Sequence, residues 1–237
     1  MRLTFIICLA LSALATYGQD ESANSMQADL MLGFGSGQTN ISTSYQVAWK
    51  FGKKQKVLMG VGGRINAFFA SDKYFVTAPA KLVKGEAGPQ ALFKEAIPAN
   101  MDSVLFSSAQ VYSVNILLHI GYAFSEKFRA GFNIDVIGAS FGGSKTGTYI
   151  NGSVMTPTSG SPSGFNLLLV GENDLGNLNS EFFVSYALNE RWSIKAGIQH
   201  IFMEYTTDTA VQQFPEPNDR FRITPTVFCA GAVYTIR

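Results

Sequence analysis

Cysteine, charge and long apolar runs are all scarce in this chain, and each scarcity excludes something. Only Cys8 and Cys229 occur. Cys8 falls inside an apolar N-terminal run that reads as a removable signal, so Cys229 stands alone in the mature chain. That excludes an intramolecular disulfide and a cysteine metal site. The two histidines, His119 and His200, are far apart and have no ligand cluster around them, so no metal or cofactor is expected. Charged residues make up 15% of the chain, against ~25% in a soluble domain. Without residues 1–18, Lys+Arg and Asp+Glu stand at 17 each, with no basic patch of the kind nucleic-acid binding requires. After residue 18 no segment is apolar for the ~20 residues that a membrane-spanning helix needs.

What is present begins with the export signal. Arg2 precedes an apolar run over 3–15, and the small residues Thr16 and Gly18 prepare a cleavage before Gln19. The expected organisation is therefore a signal peptide over 1–18 and one domain over 19–237.

Within that domain the dominant pattern has period two. Over 128–141, Phe128, Ala130, Phe132, Ile134 and Val136 alternate with Arg129, Gly131, Asn133 and Asp135, two sets that a helix of period 3.6 would mix. The same alternation predicts strands at 28–36, 41–51, 56–69, 105–124, 179–189, 192–206 and 222–236. Links between successive pairs are short, at 52–55, 125–127 and 189–191, whereas those within pairs are mostly long, at 70–103, 142–178 and 208–220, with only the first, 37–40, short. Aromatic residues, among them Trp49, Tyr122, Phe128, Tyr186 and Trp192, fall beside the short links. Short turns on one side, long loops on the other, and an aromatic row at the short-turn end are marks of an outer-membrane β-barrel. The fold class expected is all-β, an antiparallel up-and-down transmembrane barrel of eight strands, with periplasmic turns and extracellular loops. Ten strands result if 74–83 or 165–171 adds a hairpin. The inside-out relative, a soluble sandwich or lipocalin-like barrel with the apolar faces inward, has the same alternation.

The C-terminal residues Gly231, Ala232, Val233, Tyr234, Thr235, Ile236 and Arg237 look like the C-terminal assembly signal of outer-membrane barrels. With Thr16-Tyr17-Gly18 followed by Gln19 at the processing site, the chain resembles the small outer-membrane β-barrel proteins of Bacteroidota. In plan it is similar to the eight-stranded OmpA, OmpX and OmpW group. The resemblance implies the outer membrane of a Gram-negative bacterium and carries no catalytic or binding motif with it.

The two faces supply the candidate sites. Arg64, His119, Arg129, Asp135, Glu181 and Lys195 share the inward parity and are expected to form a polar network that fills the narrow lumen of a small barrel. The other reading of the same residues is a gate or a path for a small solute. His200 and Glu204 share the outward parity with Phe202, and they are the candidates for a lipid-modifying enzyme acting on lipid A or phospholipid. The third possibility is a carrier of small apolar ligands, held at a mouth lined by 84–100 and 165–171. The glycine stretches 33–37 and 60–63 lack the Lys-Ser/Thr ending of a phosphate loop and lie in strands. Segment 84–100 is expected to form a short helix with Pro89 in its first turn and an apolar stripe of Leu92, Phe93 and Ile97. Segment 142–164, rich in Gly, Ser and Thr, is expected to be mobile. A monomer is expected, with membrane lipid around it and any extracellular ligand or partner at 70–103 and 142–178.

Overall fold

Alternating side chains leave an extended strand with one apolar and one polar face, and the strands form where that alternation runs. The computed structural model describes residues 24–169 and 171–236; the expected export signal lies outside the described residues. These form twelve strands: β1 (Asn24–Gly35), β2 (Gln38–Phe51), β3 (Val57–Thr77), β4 (Ser103–Ala123), β5 (Phe128–Phe141), β6 (Lys145–Asn151), β7 (Val154–Pro162), β8 (Phe165–Leu167), β9 (Leu178–Ala187), β10 (Trp192–Thr207), β11 (Arg220–Ile223) and β12 (Thr226–Ile236). All belong to one sheet, and every pairing is antiparallel.

Eight strands pair in chain order: β1 with β2, β2 with β3, β3 with β4, β4 with β5, β5 with β9, β9 with β10 and β10 with β12. Strand β12 returns to β1, so each of the eight has two neighbours. The short turns at 52–56, 124–127 and 188–191 all lie at one end of this ring. Its outward faces are apolar and exposed, with Leu30, Ile65, Ile116, Ile120, Phe182, Ile194 and Phe228 among them. Its inward faces are polar and buried, including Asp29, Arg64, Asn115, Asn133, Asp135, Glu181 and Lys195. A soluble sandwich would have the reverse arrangement.

Strands β3, β4 and β10 run on past this ring and change partners. At the long-loop end β4 pairs with β6, β6 with β7, β7 with β10, β10 with β11, and β11 with β3. With the β3–β4 ladder, these pairings make a second, six-stranded ring stacked on the first. Its interior is apolar: Phe75, Val104, Phe106, Tyr205 and Phe221 have no exposed surface and Tyr149 is buried.

This second ring corrects the expectation of eight or ten strands and of loops over 70–103 and 142–178. Asp72, at φ 52, switches the inward phase of β3, so that Phe68 and Ala70 are followed by Phe75 and Thr77. The alternation expected to end at residue 69 continues in the other phase. In 142–164, Gly152 at φ 57 opens a two-residue turn between Asn151 and Val154, the tight hairpin geometry that favours glycine. Composition alone points to a mobile segment there. Pro225 has no N–H to give to a ladder, and it divides the expected strand 222–236 into β11 and β12. Segment 78–102 holds a short helix α1 (Ala80–Lys84) and two 3-10 turns, Pro89–Phe93 and Pro98–Asn100. Two prolines in place of one helix break the expected stripe: Leu92 and Phe93 are exposed and Ala91 is the buried residue.

The β1–β12 seam that returns the ring to its start depends on Gly231. A Cβ there would fall well inside contact distance of the Leu30 carbonyl oxygen, so even alanine forces the two backbones apart. Gly231→Ala is expected to reduce the yield of folded protein in refolding into detergent, read as the fraction migrating fast in an unboiled gel sample, while Ala230→Gly at the neighbouring outward position leaves it unchanged.

Candidate functional site

The polar network inside the eight-stranded ring is continuous. Arg64 Nη1 lies 3.1 Å from Asp135 Oδ1, and its Nη2 lies 4.0 Å from Glu181 Oε1. Lys195 Nζ meets Asp29 Oδ2 at 2.6 Å, forms a close ion pair with Glu181, and sits 4.2 Å from the centre of the Phe183 ring. Amides add hydrogen bonds to the carboxylates. Asn133 and Gln199 donate to the two oxygens of Glu181 at 3.1 and 2.7 Å, and Asn115 donates to Asp135 at 2.7 Å. His119 Nδ1 donates to Asn133 Oδ1 at 2.7 Å. The layer contains two cations, Arg64 and Lys195, and three carboxylates, Asp29, Asp135 and Glu181.

Five of the six residues expected in the lumen therefore meet, His119 through Asn133. Arg129 does not join them. It pairs in register with Ser185, four residues nearer the short turns than the Asn133–Glu181 pair, and among the described residues it makes no ion pair. Asp29 was missing from the expected site. Its inward parity is visible in the sequence, but only the β1–β12–β10 pairing brings it to Lys195. The gaps beside the layer are small: about 20 Å³ by His119, Arg129 and Phe183, and about 10 Å³ by Asn66, Phe68 and Asn179. Each has room for about one water molecule. Beyond the second gap, Phe75, Phe106 and Tyr205 pack with ring centres 5.0 to 5.1 Å apart.

His200 and Glu204 stand on the outward face of β10, as their parity required, but they do not work together. Four residues of strand separate them, about 13 Å at ~3.3 Å per residue. Glu204 is buried and holds Arg220 through two bonds of 3.0 and 2.7 Å. His200 Nδ1 lies 3.1 Å from Thr226 Oγ1, and among the described residues no carboxylate bonds to its ring. Phe202, between them, is buried as well, because the loops fold down over the wall here.

That overlay creates a crevice of about 480 Å³ on the outer side of the ring. Its wall is Ser180 of β9, His200 and Phe202 of β10, Arg222 of β11 and Val76 of β3; its roof is Val83, Lys84, Leu92 and Ala96 from one loop and Leu168, Gly171, Glu172 and Asp174 from another. The two loops are tied to each other. Gly88 N–H donates to Asn173 Oδ1, Asn173 Nδ2 donates back to Gly88 O, each at 2.9 Å, and Lys84 pairs with Glu172 at 2.7 Å. A third loop closes over the second ring through buried Gln212, which accepts from Thr77 Oγ1 at 2.9 Å and donates to Asn100 O at 2.8 Å. Burial pushes the Asp174 carboxyl up, toward its neutral form. Arg222 is not singled out by the sequence pattern, because 222–236 has the alternation of one strand starting at that residue. The pair of arginines around Phe221, next to a proline break, is the signal that could have found it.

No family model matches the sequence, and no curated protein matches it either. Among solved structures the chain is similar to Neisserial surface protein A, at 9% identity over 90% of this chain and 97% of that one, with a TM-score of 0.35. It is similar to the outer membrane protein Ail of Yersinia pestis, at 10% identity over 90% and 99%, with a TM-score of 0.35. It is also similar to the toluene transporter TodX of Pseudomonas putida, at 9% identity over 93% and 91%, with a TM-score of 0.25. At TM-scores this low the likenesses decide nothing about the chain, and its own geometry has to carry the functional reading.

Proposed function

We propose that this chain is a monomeric outer-membrane β-barrel of a Gram-negative bacterium, exported by the signal over 1–18, that binds a small ligand from the outer side and conducts nothing through its lumen. The eight-stranded ring is the transmembrane part. In support, an exposed apolar belt lies between two aromatic rows. One row, beside the short turns, includes Tyr122, Phe124, Phe128, Tyr186 and Trp192; the other includes Phe34, Phe69, Phe141 and Phe228, all exposed, with Tyr112 packed between Phe69 and Phe141. Tyr112 and Tyr122 are ten residues apart on β4. At ~3.4 Å per residue and a ~40° tilt that is about 26 Å, against the ~25 Å apolar band of such barrels. The short turns then face the periplasm and the six-stranded ring stands outside the cell.

The observation that carries the binding reading is the crevice. Its volume lies in the ~300–1,000 Å³ range of small-molecule sites, and like them it is mostly apolar with a few placed polar groups. The packed ionic layer and the aromatic cluster above it speak against a pore. Heat-modifiability of outer-membrane fractions, with protease applied to whole cells, tests the architecture: a fast-migrating unboiled form whose cuts fall only at the long-loop end is expected, and a periplasmic protein without a mobility shift would refute it. Native mass spectrometry of protein extracted in a non-ionic detergent tests the binding. A retained small molecule that is lost in Ser180→Trp, which fills the crevice, is expected; nothing retained by either protein counts against a bound ligand.

A further inference from the structure

Arg222 is a crevice group whose chemistry the described residues leave incomplete. It is 6% exposed, yet among the described residues its guanidinium makes no ion pair. Its one hydrogen bond runs from Nη1 to the Glu172 carbonyl oxygen at 2.9 Å. Its flat face lies 5.1 Å from the centre of the Phe202 ring. An arginine has five N–H donors and keeps its charge at any ordinary pH, so four donors in a nearly buried site have no acceptor among the described residues. Glu172, Glu204 and Asp174 act on its charge only through space, and leaving buried donors unmatched is costly.

The neighbouring carboxylates are engaged elsewhere. Glu204 is held by Arg220 through both oxygens, Glu172 is paired with Lys84 at 2.7 Å, and Asp174 accepts from the Leu169 N–H at 2.7 Å while burial favours its protonated form. Beside Lys84, Ser180, His200, Glu172 and Asp174, the crevice has an apolar side. Val83, Leu92, Ala96 and Leu168 line it, and Leu92, Phe93 and Leu169 carry exposed apolar surface on the loops that form its roof. Along β10 the crevice begins where the exposed belt ends, with Ile194 and Ile198 exposed below it and buried Phe202 within it. In the proposed orientation that is the level of the outer leaflet's headgroups.

We infer that the crevice takes an anionic amphiphile, its carboxylate or phosphate head on the Arg222 guanidinium and its chain over Phe202 and Leu92. This rests on the ligand-binding reading above and adds the ligand's class. A planar guanidinium with free parallel N–H groups matches both oxyanions, and the apolar lining supplies the affinity that a bare anion would lack. The head can belong to a free fatty acid or to an acidic membrane lipid.

The test uses the full mature chain in a non-ionic detergent, with oleate, its uncharged methyl ester, and inorganic phosphate as probes in calorimetric titrations. Oleate is expected to bind more tightly than the ester, and phosphate alone not measurably. Arg222→Gln is expected to weaken oleate roughly 10-fold to 100-fold, the worth of a charge-assisted bond, and to leave the ester unchanged. Arg222→Lys, which keeps the charge and loses the fork, should fall between. Heat-modifiability checks that each variant folds. Protein in nanodiscs with and without phosphatidylglycerol separates the sources: retention of that lipid by wild type and not by Arg222→Gln points to the membrane, and its absence beside tight oleate binding points to a free acid. Equal oleate and ester affinities, unchanged in Arg222→Gln, overturn the anionic head and leave the crevice a site for neutral ligands. Failure of both probes to bind overturns the ligand reading beneath it.

Discussion

Lys195→Met is expected to lower the unfolding free energy of the eight-stranded ring by about 3–5 kcal/mol, the usual cost of removing one side of a buried ion pair. Lys195 is 3% exposed and touches two carboxylates, Asp29 at 2.6 Å and Glu181. Its removal leaves three buried carboxylates facing Arg64 alone, which lies 4.0 Å from Glu181 and makes no contact with Asp29. The converse change is milder. Glu181→Gln takes away one of the three anions and leaves Arg64 and Lys195 facing Asp29 and Asp135, a balanced set, while the amide keeps a carbonyl for Asn133 or Gln199. A cost of about 1.5–3 kcal/mol is expected, that of weakening hydrogen bonds to a charged group. Urea titrations of the purified protein, scored by the unboiled gel shift, measure both. Equal losses in the two variants would mean that charge imbalance does not govern the layer. Neither variant is expected to conduct in a planar bilayer, since the aromatic cluster of the second ring stays in place.

How much of the fold and the site is legible in the sequence depends on what each signal encodes. Parity encodes direction across a strand. It correctly turns Arg64, His119, Asp135, Glu181 and Lys195 inward and Leu30, Ile65 and Ile194 outward. It does not encode height along the ring, which register sets, so it groups Arg129 with residues that lie four positions farther up its strand and its neighbour's. A single irregular residue also reverses the parity of the strand beyond it. The bulge at Val136 offsets the β4–β5 register between Ile116 and Leu117 and turns Ile137 outward and Ser140 inward. Asp72 does the same for Phe75, which is why the six-stranded ring looks like loop in the sequence. The crevice is half legible. Segments 84–100 and 165–171 are expected to line a mouth, and both contribute to its roof. Its wall is not legible, because Phe202 carries outward parity and only the tertiary fold of the loops buries it.

Phe106→Ala tests whether the two rings are separate units of stability. Phe106 has no exposed surface and packs against Phe75 and Tyr205, with ring centres 5.1 and 5.0 Å away. Truncating a buried phenylalanine to alanine costs about 3–5 kcal/mol through lost burial and the cavity left behind. The loss is expected to be local. Strands β6, β7 and β11 belong only to the six-stranded ring, whose apolar interior is a core of its own, and the ionic layer below shares no hydrogen bond or ion pair with Phe106. Regions with an independent core open independently of the rest of a chain. Surface protease is therefore expected to cut the variant at 142–144, 152–153 and 208–219 at concentrations at which wild type is cut only slowly, while the temperature at which the folded gel band is lost moves by only a few degrees. The tie through β3, β4 and β10 is the reason the opposite result is informative. Those three strands are continuous through both rings, and if their ladders transmit the loss, the band temperature must fall together with the onset of cleavage. A common fall would make the second ring a structural part of the barrel. A separated one would make it a lid whose opening the eight-stranded ring survives, able to loosen the crevice roof while that ring stays folded.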